Sequence, residues 1–193
     1  FANSGCLFFE GLIDEDINKE FLNDIGHTDI DDVDNIQHYF QNIKSSSSIP
    51  RIPAGTALKD AYPLNSPLEK IFKNEIVSGA INSLVGSKTV VDHQFLHLTF
   101  PSKYYAKANQ RQMSQVNHQD STIDPRTTFD IQLFYFPTAV TKEMGGTRYI
   151  PGTHLRIVNE MGIAKYQNIK GQKNIICKAG TIGIFHNGLW HGA

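Results

Sequence analysis

Apolar positions recur at helical spacing in the first half of the chain and gather into short runs in the second. An apolar run at 6–9 predicts a first strand. Asp14 then offers a side-chain N-cap to a helix carrying Ile17, Phe21, Leu22 and Ile25, closed by Gly26. Ser66-Pro67-Leu68-Glu69 reads as a capping box with proline at the first helical position. Leu68, Phe72, Ile76, Ala80, Ile81 and Leu84 continue at helical spacing to Gly86, which predicts one helix with a core-facing stripe. Beyond it the pattern turns to strands at 89–91, 94–100, 129–136, 147–150, 174–177 and 181–185, separated by Gly-, Pro- and Asn-rich turns. The stretch 27–62 is acidic, serine-rich at 45–48 and broken by Pro50, Pro53 and Gly55. It predicts a long irregular connection, serving either as a lid or as a plain surface loop. Helices early and short strands late suggest helices packed on a β-sandwich or barrel.

Composition narrows the class. A chain of 193 residues with 40% hydrophobic content can bury one sizeable core, so the expectation is a single domain over 1–193. Eighteen basic and nineteen acidic side chains give a formal charge of -1, without the basic field that binds nucleic acid phosphates, so a small-molecule partner is expected. No run approaches the roughly 18 apolar residues needed to span a bilayer, so no membrane partner is expected. Cys6 and Cys177 lack the spacing of a zinc knuckle or a disulfide framework and read as free thiols of a cytoplasmic protein. The oligomeric state is not legible. Phe1 is not an initiator methionine and Ala193 closely follows a promising ligand, so a C-terminal truncation is expected.

Candidate chemistry centres on His118-Gln119-Asp120. About one His-x-acid triplet is expected by chance in such a composition, and His27-Thr28-Asp29 is a second example, set in an acidic loop and read as a surface feature. The pair at 118 and 120 lies on an extended segment, where positions i and i+2 project to one face and can reach one ion. His191, after a short strand in GTIGIFHNGLWHGA, supplies a third ligand. Two imidazoles and a carboxylate are the ligand set of non-haem Fe(II) oxygenases, which leaves coordination positions open. Zinc more often brings cysteine or a third histidine.

The ordered motifs HQD, apolar strand, GGTRYIPGTH, GTIGIF and LWHGA resemble the phytanoyl-CoA dioxygenase family of Fe(II)/2-oxoglutarate oxygenases, and GCLFFEGLIDEDI is similar to that family's first strand and helix. The resemblance implies a mainly β fold with flanking helices, a double-stranded β-helix or jelly roll of cupin type. It implies His118, Asp120 and His191 as iron ligands and catalytic residues, with Fe(II), 2-oxoglutarate and O2 as the cofactor set. Gln115 and Gln132 are the candidates for binding 2-oxoglutarate. The family also expects an arginine about ten residues past the distal histidine, beyond Ala193, for the far carboxylate; Arg148 and Arg156 do not stand at that place. His154 and His186 are expected in structural hydrogen-bonding roles, and His93 and His97 as core or pocket-wall residues. Phe95, Phe134, Tyr135, Phe136 and Trp190 are read as core or as an apolar pocket lining. The implied reaction is hydroxylation of an unactivated C–H bond of a small molecule with release of succinate and CO2. Asp120 argues against halogenating relatives, in which a small residue replaces the carboxylate, whereas desaturation and cyclisation use the same ligands. The alternative is a cupin-type module that binds a metal or small ligand without turnover.

Overall fold

The computed structural model of the chain describes residues 1–27, 39, 41, 43, 49–99, 115–120, 129–156, 159–163 and 168–193. The chain divides into two compact units, Ile13–His97 and the pair of segments Phe1–Leu12 with Leu98–Ala193.

The strand-rich unit holds two small sheets. In the first, β7 (Thr181–His186) lies between β1 (Cys6–Phe9) and β4 (Ile131–Phe136), both antiparallel to it. All six residues of β7 are buried, as suits a central strand covered on both faces. In the second sheet, β5 (Arg148–Tyr149) lies between β6 (Lys173–Asn174) and β8 (His191–Gly192). Alternation along the strands puts Cys6, Phe8, Phe134, Phe136 and Phe185 on one face of the first sheet, and these five pack with Tyr149, Ile175, Leu189 and Cys177 into one core cluster. The core therefore joins the two sheets. Phe185 is its hub, with ring centroids 4.8 Å from Phe134, 5.2 Å from Tyr149 and 5.7 Å from Phe8. Cys6 and Cys177 are free and half-buried, and desolvation raises both thiol pKa values.

The helical unit contains α1 (Glu15–Asp24), α2 (Pro67–Lys73), α3 (Glu75–Val85) and a two-stranded pair, β2 (Thr56–Ala57) with β3 (Val90–Val91). Helix α1 buries Asn18 and Phe21. Asp14 occupies its N-cap position but makes no side-chain cap bond, contrary to expectation; its ψ of 148° is extended and its carbonyl accepts from the Asn18 amide. The single helix expected from 66 to 86 is two. Ser66 caps α2, its hydroxyl accepting from the Glu69 amide at 3.3 Å. Asn74 then ends α2 and starts α3, its side-chain oxygen accepting from the Ile76 and Val77 amides at 3.0 and 3.3 Å. An asparagine that offers a local acceptor competes with helix continuation. The break also turns the apolar stripe, because Pro67, Ile71, Val77 and Ile81 are buried whereas Ile76 is 48% exposed.

The strands expected at 6–9 and 181–185 form, the latter one residue longer, those at 89–91, 129–136 and 147–150 are shorter than expected, and 94–99 forms none; Phe100 lies outside the described residues. Residues 174–177 split into β6 and an isolated bridge between Cys177 and Val140. Most of the expected irregular connection, 28–48, also lies outside the described residues apart from Tyr39, Gln41 and Ile43, as do Thr28 and Asp29. The architecture described is mixed α and β with small antiparallel sheets. Among the described residues, no helix is long and apolar enough to cross a membrane.

Candidate metal centre

His118 and His191 are neighbours through the backbone. The His118 amide donates to the His191 carbonyl at 2.8 Å and the His191 amide returns a bond to the His118 carbonyl at 3.0 Å, an antiparallel bridge. Such a reciprocal pair sets two side chains side by side on one face, and here the ring centroids are 4.4 Å apart. Asp120, two residues on from His118, keeps to that face, and its amide is held by the Asn187 carbonyl at 3.1 Å. The Gln119 side chain, on the opposite face, donates to the Gly188 carbonyl. Behind His191 stand the rings of Phe185 at 6.1 Å and Phe134 at 6.3 Å.

Both imidazoles are oriented by the same device. His118 Nδ1 lies 2.9 Å from the Val116 carbonyl and His191 Nδ1 lies 2.9 Å from the Leu189 carbonyl, in each case two residues upstream. A carbonyl only accepts, so Nδ1 carries the proton and the Nε2 of the neutral ring keeps its lone pair. Each Nε2 is 3.4 Å from one oxygen of the Asp120 carboxylate, His118 from Oδ1 and His191 from Oδ2. Ligand atoms of all three residues fall within 4.8 Å of one another. A 3.4 Å separation is shorter than two metal–ligand bonds of roughly 2.0–2.2 Å laid end to end, so an ion can bridge the carboxylate to either imidazole. Two lone pairs and a carboxylate converging this closely form an electron-rich set that a cation stabilises. The nitrogen and oxygen donors, with no thiolate, suit a borderline divalent ion such as Fe(II).

The remaining candidates separate clearly. Gln115 is exposed, with its amide nitrogen 3.4 Å from His118 Nε2. Gln132 shares the inner face of β4 with Phe134, and among the described residues its buried Oε1 has no hydrogen-bond partner. His154 and His186 are buried and stand apart from the triad: His154 Nε2 bonds the Ala2 carbonyl at 3.0 Å, and His186 Nδ1 accepts from the Gly188 amide at 2.9 Å. Gly5, at φ +75°, is the close approach that makes room for His154, since a Cβ there would lie 2.5 Å from its Nδ1. Desolvation lowers the pKa of both histidines. Trp190 is core, 1% exposed. Phe95 is exposed, stacked on His93 and tilted against His97, which are exposed too, so these three are not core residues. Arg156 is exposed. Asn117, which the sequence reading did not single out, contributes as well, as do Gln119 and Arg148, to which it gave no such role; Asn117 and Arg148 are joined by a 2.9 Å bond. A cation inside the apolar run TRYI was the signal that could have pointed to Arg148.

Over residues 1–193 the sequence matches the family described as Phytanoyl-CoA dioxygenase (PhyH). The chain belongs to this family. PhyH enzymes are Fe(II)/2-oxoglutarate-dependent oxygenases that use O2, and the chain is an enzyme of this class. Its fold is similar to that of AviO1 from Streptomyces viridochromogenes Tue57, with 15% identity, a TM-score of 0.60 and coverage of 100% of this chain and 83% of AviO1. It is also similar to HygX from Streptomyces hygroscopicus with nickel and 2-oxoglutarate bound, at 11% identity and a TM-score of 0.56 over 98% of this chain and 76% of HygX. A nickel complex of the non-heme monooxygenase ThoJ matches at 14% identity and a TM-score of 0.57, over 100% of this chain and 67% of ThoJ. At these identities the likeness to solved structures carries the fold. No curated protein matches the chain in sequence.

Proposed function

We propose that this PhyH-family chain hydroxylates an unactivated C–H bond of a small molecule, with His118, Asp120 and His191 as the ligands of Fe(II). The observation that carries the reading is the pair of imidazoles, each donating from Nδ1 to its i−2 carbonyl, whose Nε2 atoms face the two oxygens of one carboxylate. When bound, Fe(II) with 2-oxoglutarate and O2 would supply the oxidising chemistry, yielding succinate and CO2 beside the oxygenated product. The protein's part is placement. His118 and His191 fix two adjacent donors through a shared backbone bridge, and Asp120 adds a negative donor while Asn187 holds its backbone. Three protein donors leave the other positions of the ion to substrates. Phe134 and Phe185 keep the His191 side apolar, which shields that bond from water.

Gln132 is the better of the two glutamine candidates for 2-oxoglutarate, because it shares the inner face of β4 with Phe134 and a primary amide carries N–H donors suited to a carboxylate. Gln115 lies beside His118 and would contact the co-substrate from the exposed side. The unbroken family match over 1–193 supports reading the chain as one catalytic domain, and the likeness to oxygenase folds supports a jelly roll. The nearly balanced charge supports a small-molecule substrate over nucleic acid.

The test is spectroscopic first and catalytic second. Protein mixed with Fe(II) and 2-oxoglutarate under nitrogen should develop a weak visible charge-transfer band, and Asp120→Ala or His191→Ala should abolish it. Succinate released on admitting O2 with candidate substrates then reports turnover. A wild-type protein that binds the metal but never forms succinate across such a screen would be a binding module of cupin type instead.

A further inference from the structure

Arg148 lies directly opposite Gly192 in the ladder of β5 with β8, one residue beyond His191. Its guanidinium reaches across to the other ligand-bearing segment. Nε donates to Asn117 Oδ1 at 2.9 Å, Nη2 to the Gln115 carbonyl at 2.5 Å and Nη1 to the Ala193 carbonyl at 3.0 Å. One rigid planar group thus grips the residue before His118, the residue three before it, and the residue two past His191. A guanidinium can serve three acceptors from a fixed fork, whereas an ammonium is a single point on a flexible stem.

Two further observations show that the contact is built into the site. Asn117, the residue that receives Nε, is fully buried at 0% exposure. Gly192 supplies the gap through which the fork passes, because a Cβ there would lie 2.9 Å from the Gln115 carbonyl, 3.0 Å from that of Val116 and 3.1 Å from Arg148 Nη2. Asn117 Oδ1 and the Gln115 carbonyl are neutral oxygens, and desolvation lowers the pKa of this half-buried cation. A charge placed only for solubility would remain in water.

We propose that Arg148 is a positioning residue for the metal centre: threaded past Gly192 and seated on Asn117, it ties 115–118 to 191–193 so that His118 and His191 keep their spacing before an ion arrives. The proposal rests on the reading of His118, Asp120 and His191 as ligands, and it makes the site preorganised. Partners behind metal ligands are commonly worth roughly 10–100-fold in metal affinity.

Co(II) is the probe, titrated into the metal-free full chain by calorimetry and followed by its visible d–d absorption. Arg148→Met and Gly192→Ala should each weaken Co(II) binding about 10–100-fold and alter the d–d envelope, while the folded protein persists by circular dichroism. Arg148→Lys should restore only part of the affinity, since one ammonium cannot bridge all three acceptors. Wild-type affinity and an unchanged spectrum in Arg148→Met or Gly192→Ala would overturn the proposal, even if the melting temperature fell. Should Arg148→Met fail to fold, Arg148→Lys and Gly192→Ala decide by the same readouts. Wild-type protein that does not bind Co(II) would instead sink the underlying ligand reading and take the clamp with it.

Discussion

Replacing Phe185 with alanine should strike the protein at the point where its two sheets meet. The ring is 0% exposed and touches a neighbour from each of three strands, Phe8, Phe134 and Tyr149, with His191 6.1 Å away. Truncation of a buried phenylalanine costs about 3–5 kcal/mol, from lost transfer energy and the cavity left behind. Here the flanking rings sit on paired strands and cannot collapse into the gap, and each aromatic pair is worth roughly 0.5–1.5 kcal/mol beyond its area. The loss should therefore lie at the upper end, about 4–5 kcal/mol, a large share of the roughly 5–15 kcal/mol that holds a domain folded. The chain's one tryptophan, Trp190, is buried in the same unit and reports the event locally. Urea unfolding followed by its fluorescence should show a lowered midpoint at constant slope. Phe185→Leu should lose much less. A loss under about 1 kcal/mol for Phe185→Ala, against the 3–5 expected, would refute the assignment of the ring as the junction of the sheets.

Ser66→Ala removes the oxygen that accepts from the Glu69 amide and should cost about 1 kcal/mol, read as a lower helix-monitored urea midpoint; no change would mean that α2 starts without its cap. Acid should weaken the strand-rich unit, because burial holds His154 and His186 below the ordinary imidazole value of 6.5. Below 6.5 the unfolded chain takes up protons that the folded one refuses, so stability is full above that value and is lost as pH falls from it toward the depressed values. Trp190-monitored urea midpoints should accordingly drop between about pH 7.5 and 5.5, and the double change His154→Gln with His186→Gln should flatten that dependence. An equal drop in the double variant would place the acid sensitivity elsewhere.

Local chemistry was legible wherever a residue acts on its own segment. The run at 6–9 became β1, Ser66 caps as its motif foretells, and the i, i+2 spacing of His118 and Asp120 puts both on one face because the extended backbone dictates it. The break at Asn74 did not show in the sequence because an asparagine within an apolar periodicity can face solvent or can cap the next helix, and periodicity alone does not choose. Asp14 failed as a side-chain cap although its residue type and place were right, since capping also needs a rotamer that reaches the free amides. The fork of Arg148 was invisible for a different reason: its three acceptors include two backbone carbonyls about thirty or more positions away, and no pattern along a strand encodes a carbonyl. For the candidate site, the three side chains that converge could be named from the sequence, whereas the carbonyls that orient His118 and His191 required the folded chain.

The reciprocal backbone bond between His118 and His191 also sets which side of the chain each imidazole takes. Because side chains alternate across an extended chain, a shift of one position there would turn an imidazole to the wrong side while leaving nearly every ladder bond satisfied. Gain or loss of a single residue between Asn187 and Trp190 would therefore rearrange the candidate metal centre under the guise of a small loop edit. The turn before β6 carries no donor of the triad and is free to vary in length, so indels along this chain are filtered by parity near the histidines and by packing elsewhere.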